Sequence, residues 1–309
     1  MVIIAIVPLV YGAAMDVIDG VPPADADRVP TRGASVVVLV EPDSGAALTA
    51  AARWLGADPE LAESLHRQRH RRPSAHVEDR HIAAVVLANR DVGQPAELHL
   101  HVGERGLLVV APPGLNALVR QAVAPLEGGP EDAFAALILA VALHSEETIE
   151  QLTEVALGLD ETPSRLAAGA QRREISGVRA RLFALQQLWK AHQQVLAPDE
   201  PLADEVPDGP RRVLRRARGV FEASGTTAAE LYALLEDTLS RQAAMINERL
   251  TLAAVVFFPL TVSTGFFGMN FEWMVSHIGS VTAFVVLGII VPFILVGVTL
   301  VAAHWLTRE

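Results

Sequence analysis

Two stretches at the end of the chain carry no acidic or strongly basic side chain, and they limit what it can fold into. Leu250–Phe271 runs for 22 residues and Ile278–Trp305 for 28 residues without an Asp, Glu, Lys or Arg. About 20 apolar residues in helical form cross the hydrocarbon core of a bilayer. Lipid offers the backbone no hydrogen-bond partner, so such a segment must bond within itself, as a helix does. Only Glu272–His277 separates the two stretches, which makes them a helical hairpin with both ends on one side of a membrane. We expect the first span at about residues 250–270 and the second at about 279–303. Arg241 and Arg249 precede the first span and Arg308 follows the second, whereas the connecting loop carries only Glu272. The bias of Lys and Arg toward the cytoplasmic side then places both termini in the cytoplasm and the hairpin in the cell (inner or plasma) membrane as a multi-pass protein.

The rest of the chain is a different material. The 309 residues include 36 acids and 25 bases, but only Glu272, Glu309 and Arg308 fall after Arg249, which leaves 34 acids and 24 bases for residues 1–249. An acidic body of that length is large enough for its own core. Its acidity argues against a nucleic-acid partner, which calls for a basic surface. The chain has no cysteine, which excludes disulfides, thiolate metal ligands and thiol catalysis. The apolar start, Met1–Met15, has no basic residue before it and is interrupted by Pro8, unlike a signal peptide, so Val2–Val10 reads as a strand.

Within the body, β-rich runs recur at Val2–Val10, Ser35–Glu41, His81–Asn89, Ala96–Gly103 and Gly106–Ala111, with breakers such as Pro42-Asp43 and Pro112-Pro113 between them. Helical patterns occupy Ser44–Leu55, Asp58 to about Arg71, and Gly114–Leu126. After Pro130 the strands stop. Glu131–Leu159 and Pro163–Leu196 read as long helices, and Ala197–Gly209 as a turn. A last helix begins near Pro210, is weakened at Gly219 and Ser224-Gly225, and then runs from Thr226 to Asn270 without a breaker before Pro259. The 45 residues from Thr226 to Asn270 would measure about 68 Å, twice a bilayer core of about 30 Å, so the helix must project from the membrane as a stalk. The expected fold is α+β: a cytoplasmic α/β domain (1–128), a long-helix region (129–225), a stalk helix (226–249) continuous with the first span, and a transmembrane hairpin (250–309).

One face of the first span is unusual. Asn247, Leu250, Thr251, Ala254, Phe258, Thr261, Gly265 and Asn270 recur at spacings near three and four, so they share a helical stripe. Polar, small and bulky residues in alternation suit a pore with wet zones and apolar constrictions, which gate by dewetting. Leu250, near the cytoplasmic end, is the candidate gate and Phe258 a second constriction. Small residues also let membrane helices pack closely, and the stripe alone does not separate the two readings.

The end of this span does separate them. Phe267-Gly268-Met269-Asn270-Phe271-Glu272, with Asn247, Leu250-Thr251, Phe258-Pro259-Leu260-Thr261 and Gly265 upstream, resembles the CorA family of divalent-cation channels in order and spacing. That family is marked by Gly-Met-Asn at the outer end of the first of two C-terminal spans. Looser matches at Leu55-Gly56-Ala57-Asp58-Pro59, Arg72-Pro73, Asp79 and His81–Asn89 extend the resemblance over the chain. It implies a homopentamer in the bilayer whose first spans line one central pore, with Gly268, Met269 and Asn270 as selectivity filter and cytoplasmic Mg²⁺ closing the channel. Asn247, Leu250, Ala254, Phe258, Thr261 and Gly265 would line the pore, and Glu272 would be the acid at its mouth. Three places depart from the family's habit. The loop lacks the usual Pro and second acid, the C-terminal tail lacks its basic run, and Asn247 stands where many members carry Met.

The chemistry suits Mg²⁺. This ion dehydrates reluctantly and keeps several waters. A ring of neutral Asn270 amide oxygens would accept hydrogen bonds from those waters without holding the ion too tightly for conduction. Transport of Mg²⁺, with Co²⁺ and Ni²⁺ behind it, would be passive. No Gly-rich phosphate loop with a Lys-Ser/Thr pair is present, no organic cofactor is implied, and no acid–base or nucleophile set marks an enzyme. A Zn²⁺ transporter of the same family is the alternative, and a non-transporting membrane-anchored sensor or scaffold is the alternative of another class.

Two further groups invite a metal. His66, His70, His76 and His81 crowd a segment with Arg67, Arg69, Arg71 and Arg72, and His99 and His101 alternate on one strand face. Histidine is a common zinc ligand, but neither set forms a complete ligand group. Glu146, Glu147, Glu150, Glu154, Asp160 and Glu161 form an acidic run in which 146, 150 and 154 share a helix face. A solvated helix face explains that pattern as well as a regulatory Mg²⁺ site does, and the residues of the regulatory site are left unassigned.

Overall fold

The structure is a computed structural model that describes residues 16–19, 36–40, 45–67, 70, 72–78, 81–91, 94–124, 126, 128–161, 168–268 and 279–306. The chain divides into two compact units, Met1–Leu235 and Glu236–Glu309.

The first unit is built on a six-stranded mixed sheet in the order β1-β2-β6-β5-β4-β3. Its strands are β1 (Asp16–Asp19), β2 (Val36–Val40), β3 (Ser74–Glu78), β4 (His81–Asp91), β5 (Gln94–Val102) and β6 (Gly106–Val110). β1–β2 and β2–β6 pair parallel; the other neighbours pair antiparallel. Val-rich β4 and β6 are buried on both faces, and β6 is buried at every position. That explains why they read as continuous apolar runs rather than alternating ones.

Helices α1 (Gly45–Leu55) and α2 (Pro59–Arg67) follow β2. Leu48, Ala51, Ala52 and Leu55 of α1 pack with Ala62 of α2 onto Leu108 and Val110 of β6. Asp58 caps α2, accepting the amides of Glu60 and Leu61 at 2.8 and 3.2 Å, so three residues after Leu55 the chain is already helical again. The turn between them depends on Gly56, at φ +71°, and on Gly103 at the end of β5, which passes directly beneath it.

A 3₁₀ turn (Pro113–Leu115) leads into α3 (Asn116–Val123), and then the long helices α4 (Pro130–Glu161) and α5 (Ala168–Val195) follow. α4 buries Ala133, Phe134, Leu137, Ile138 and Val141, and α5 buries Ile175, Val178, Leu182, Leu185 and Trp189, both at helical spacing. α6 (Pro201–Glu205) is a single turn inside the segment expected to be irregular, with Leu202 buried.

α7 spans Asp208–Gly268, 61 residues or about 92 Å at 1.5 Å per residue. The helix runs unbroken through Gly219 and Ser224-Gly225, where the sequence predicts it to be weakened. Leu214, Ala217, Phe221, Ser224, Ala228, Leu231 and Leu235 form one buried stripe, which outweighs the roughly 1 kcal/mol that a glycine costs a helix interior. β1 and β3 were not expected, α2 ends at Arg67 rather than Arg71, and the expected strand Val2–Val10 lies outside the described residues.

The second unit holds the C-terminal part of α7, then α8 (Val281–Val285), a π-helical turn (Val286–Ile290) and α9 (Val291–Leu306). Ser280 caps α8 by accepting the Ala283 amide at 3.1 Å. In the π turn the Val291 amide reaches back five residues to Val286 O. Pro292 follows immediately and has no amide to donate, so the ladder changes register where a normal bond is unavailable.

Candidate functional site

The candidate site is the exposed face of α7 beyond Gln242. Every residue from Ala243 to Ala254 is exposed, polar and apolar alike. Further on, Leu250 is 63% and Phe258 72% exposed, and around the same stretch of helix Phe257, Val262 and Phe266 exceed 50%. The helix Val281–Val301 is equally bare. A core helix of a soluble protein buries its apolar face; these two helices are apolar all round and bury almost nothing, the property of segments whose solvent is lipid or other copies of themselves. Both are long and apolar enough to cross a membrane.

Seven of the eight residues of the expected stripe, Asn247, Leu250, Thr251, Ala254, Phe258, Thr261 and Gly265, lie on α7, where at 100° per residue they fall within about 60° of a common line. Asn270, the eighth, lies outside the described residues. No Cβ built on Gly265 or Gly268 would meet another described atom within 4 Å. Met269, Asn270 and Glu272 lie outside the described residues, so the filter and the mouth acid are assigned by sequence alone.

The threonines on this helix are oriented by their own backbone. Thr251 donates its hydroxyl to Asn247 O at 2.9 Å and Thr261 to Phe257 O at 2.8 Å. Thr264, off the stripe, donates toward Leu260 O at 2.9 Å and Thr261 O at 3.2 Å. With its proton spent on a carbonyl, each oxygen turns only lone pairs outward. Such an oxygen attracts cations and water protons and has no donor to offer an anion. Pro259 sits within the helix and removes the amide that would serve Val255 O, a local weakness in the ladder.

The histidines are arranged differently from the expectation of a solvated face. His99 and His101 are buried, at 4% and 2% exposure, and His66 and His70 close over His99 with ring centroids 5.9 and 5.5 Å away, both edge-on. Glu97, which we did not single out, completes the group. Its carboxylate accepts the His70 amide at 3.1 Å and His99 Nε2–H at 3.2 Å. The signal in the sequence was the alternation of Glu97, His99 and His101 along one strand, which places all three on one face. Burial pushes the His99 imidazole below its ordinary pKa against the pull of Glu97, and drives His101 down to about 3. Among the described residues no three His, Asp or Glu side chains converge on a point that could hold a metal ion. His81 stands at one end of the β3–β4 pairing, opposite Glu78, and His76 at its middle, opposite Ala83.

The acidic run on α4 is solvated. Glu146, Glu147, Glu150 and Glu154 are exposed, and Asp160 is half-buried; the Glu161 side chain lies outside the described residues. Their carboxylates converge on no common point.

A sequence model described as CorA-like Mg²⁺ transporter protein matches residues 37–306. No curated protein matches the sequence. Among solved structures the chain is similar to the complete CorA magnesium transporter of Methanocaldococcus jannaschii, at 12% identity and a TM-score of 0.63 over 86% of this chain and 89% of that one. It is also similar to the full-length CmaX protein, at 14% identity and a TM-score of 0.51 over 89% and 88% of the two chains. The soluble domain of the same Methanocaldococcus jannaschii CorA matches at 12% identity and a TM-score of 0.52, over 62% of this chain and 81% of that one. At these identities the structural likeness speaks for the fold.

Proposed function

The chain belongs to the CorA-like Mg²⁺ transporter family, and from that premise we propose that it is a passive divalent-cation channel selecting Mg²⁺ ahead of Co²⁺ and Ni²⁺. Five copies surround one pore lined by the C-terminal part of α7. Residues 1–128, 129–225 and the stalk 226–249 lie in the cytoplasm with both termini, and 250–309 form the hairpin in the cell membrane. The observation that carries this reading is the continuous stripe from Asn247 to Gly265 on a helix that is otherwise apolar and bare.

Ion passage then follows from the residues. Glu272 draws cations to the mouth. Gly268, Met269 and Asn270 form the filter, where neutral amide oxygens accept hydrogen bonds from a hydrated ion. Thr261 offers a second ring of acceptor-only oxygens, and Gly265 keeps the helix slim between the two rings. Phe258 and Leu250 form apolar constrictions, Ala254 widens the space between them, and Asn247 makes the cytoplasmic exit wet. Between the filter and the exit no side chain in this path is charged, so inside the pore the ion is never held by a carboxylate, which would bind it strongly and be costly in lipid. An inside-negative potential favours entry of a divalent ion by about 4.6 kcal/mol per 100 mV, so no ATP is needed. Cytoplasmic Mg²⁺ shuts the pore at a site we do not assign.

Flux of Mg²⁺ into liposomes tests this reading, comparing the native chain with Asn270→Ala. We expect rapid native flux and a large loss in the variant. Equal flux in both would overturn the filter assignment, and no flux in either would favour a non-transporting sensor. A competition series with Co²⁺, Ni²⁺ and Zn²⁺ orders the ions; uptake specific for Zn²⁺ would replace Mg²⁺ as the cargo.

A further inference from the structure

The nest of histidines under α2 contains no residue that the channel reading uses. Five imidazoles meet two carboxylates there: His66 and His70 near the end of α2, His99 and His101 on β5, and His76 on β3, with Glu97 and Asp58. The sheet gives them no further charge. Val85 and Val110 lie opposite His99 on the neighbouring strands, and Ala83 and Leu108 opposite His101. On α2, Glu63 and Arg67 pair with each other at the surface, and the α1 residues packed against α2 are apolar.

The close packing of the rings, rather than the hydrogen bonds they donate, is what favours their neutral form. His70 donates Nε2–H to Leu65 O at 2.9 Å and its backbone amide to Glu97, which fastens the end of α2 to β5. His99 sits beneath with Nε2–H on Glu97, and its Nδ1 is buried without a hydrogen-bond partner, as is His101 Nε2. The bare His99 Nδ1 is the proton acceptor of that ring, and no group among the described residues is placed to receive the resulting N–H. Each protonation adds positive charge among rings less than 6 Å apart. Two carboxylates do not neutralise that charge, and buried unpaired charge is strongly disfavoured.

We propose that this nest is a proton-operated latch, which clamps α2 and the His70 turn onto β5 while its imidazoles are neutral and releases them when they take up protons. The sign follows from linkage. Histidines freed to solvent bind protons at their ordinary affinity, near pH 6.5. In the closed nest His99 and His101 bind them less readily, because burial disfavours the charged ring. The open form therefore holds more protons, and acid favours it as pH falls through about 6.5. Glu97 moderates the effect, since its charge favours a proton on His99.

Hydrogen exchange of the full chain in detergent micelles, corrected for the intrinsic pH dependence of exchange, reads the latch directly. Between pH 7.5 and pH 5.5 the amides of residues 60–70 should exchange severalfold faster relative to the α4 amides 134–142. Glu97→Gln should enlarge that acid-induced rise, and His99→Gln should flatten it. Should either fold poorly, His66→Gln on the half-exposed face of α2 should reduce the rise. A ratio independent of pH in the native chain, or a rise unchanged in these variants, would overturn the latch. The readout does not depend on transport, so the channel reading stands or falls separately.

Discussion

His192 of α5 accepts the backbone amide of Leu87 on β4 at 3.3 Å, joining residues 105 apart in sequence. β3 pairs with β4 only as far as Val85, so the Leu87 amide finds its acceptor on a helix instead of a strand. The His192 ring is held by Nδ1–H donating to Leu188 O at 3.0 Å and by stacking on Phe221 of α7 at 4.4 Å. One imidazole thus connects the sheet, α5 and the long helix, and only its neutral form has an acceptor at Nε2.

Burial lowers the His192 pKa to about 4. A depressed histidine favours the fold while neutral, so the stability it contributes is complete above the unfolded pKa near 6.5 and is lost as pH falls toward 4. The loss is on the order of 3 kcal/mol at full protonation. His101 acts in the same direction. Thermal unfolding of the solubilised chain should therefore weaken between pH 6.5 and 4, and His192→Gln should show a shallower slope than the native chain. Identical slopes would remove His192 from this role.

Gly103→Ala tests the turn that seats α2. A Cβ there would lie 2.6 Å from Leu55 O and 2.9 Å from the Ala57 amide nitrogen, both backbone atoms of a turn already fixed by Gly56. Neither can swing aside as a side-chain end would. The expected destabilisation is about 1–3 kcal/mol, the usual range for forced overpacking, read as a lower unfolding midpoint. Gly158→Ala, on a helix with nothing within 4 Å of the new methyl, should not lower it and serves as the control.

How far the sequence disclosed all this depended on what set each element. The spans and the strands β2, β4 and β6 were legible because long apolar or Val-rich runs dominate them, and β5 because polar and apolar residues alternate along it. β3, with the sequence SAHVE, was not; it is partly exposed, and its pairing with β4 decides its form. The unbroken α7 was hidden by Gly219 and Ser224-Gly225, whose local cost is set against burial that only the folded chain supplies. The stripe proposed to line a pore needs only spacing to be read, since one helix carries its residues from Asn247 to Gly265. The histidine nest was not legible, because α2 and β5 are brought together by tertiary packing, and Glu97 draws no notice until His70 and His99 lie against it.

Leu250 is the proposed gate, and its side chain is 63% exposed on the pore stripe. Leu250→Ala leaves the helix intact, since alanine is the best helix former, but removes the apolar bulk that would exclude water from a narrow ring. Liposome flux should rise severalfold and respond less to Mg²⁺ on the cytoplasmic side. Phe258→Ala, on the same stripe and 72% exposed, should act in the same direction by widening the second constriction. Flux unchanged in both would mean that neither residue obstructs the path.

Thr261 separates a polar ring from a merely small one. Its hydroxyl donates to Phe257 O at 2.8 Å, so its oxygen faces outward as an acceptor alone. Thr261→Val keeps the shape, the β-branch and the helix but deletes that oxygen. A hydrated cation passing the ring would lose a hydrogen bond of about 1–1.5 kcal/mol per oxygen contacted. Flux should fall by roughly tenfold for each 1.4 kcal/mol lost at the highest barrier. Thr261→Ser, which keeps the oxygen and its bond to the backbone, should conduct like the native chain. If Val and Ser behave alike, size and not the oxygen is what matters at this position, and selection for hydrated Mg²⁺ must fall on Asn270 alone.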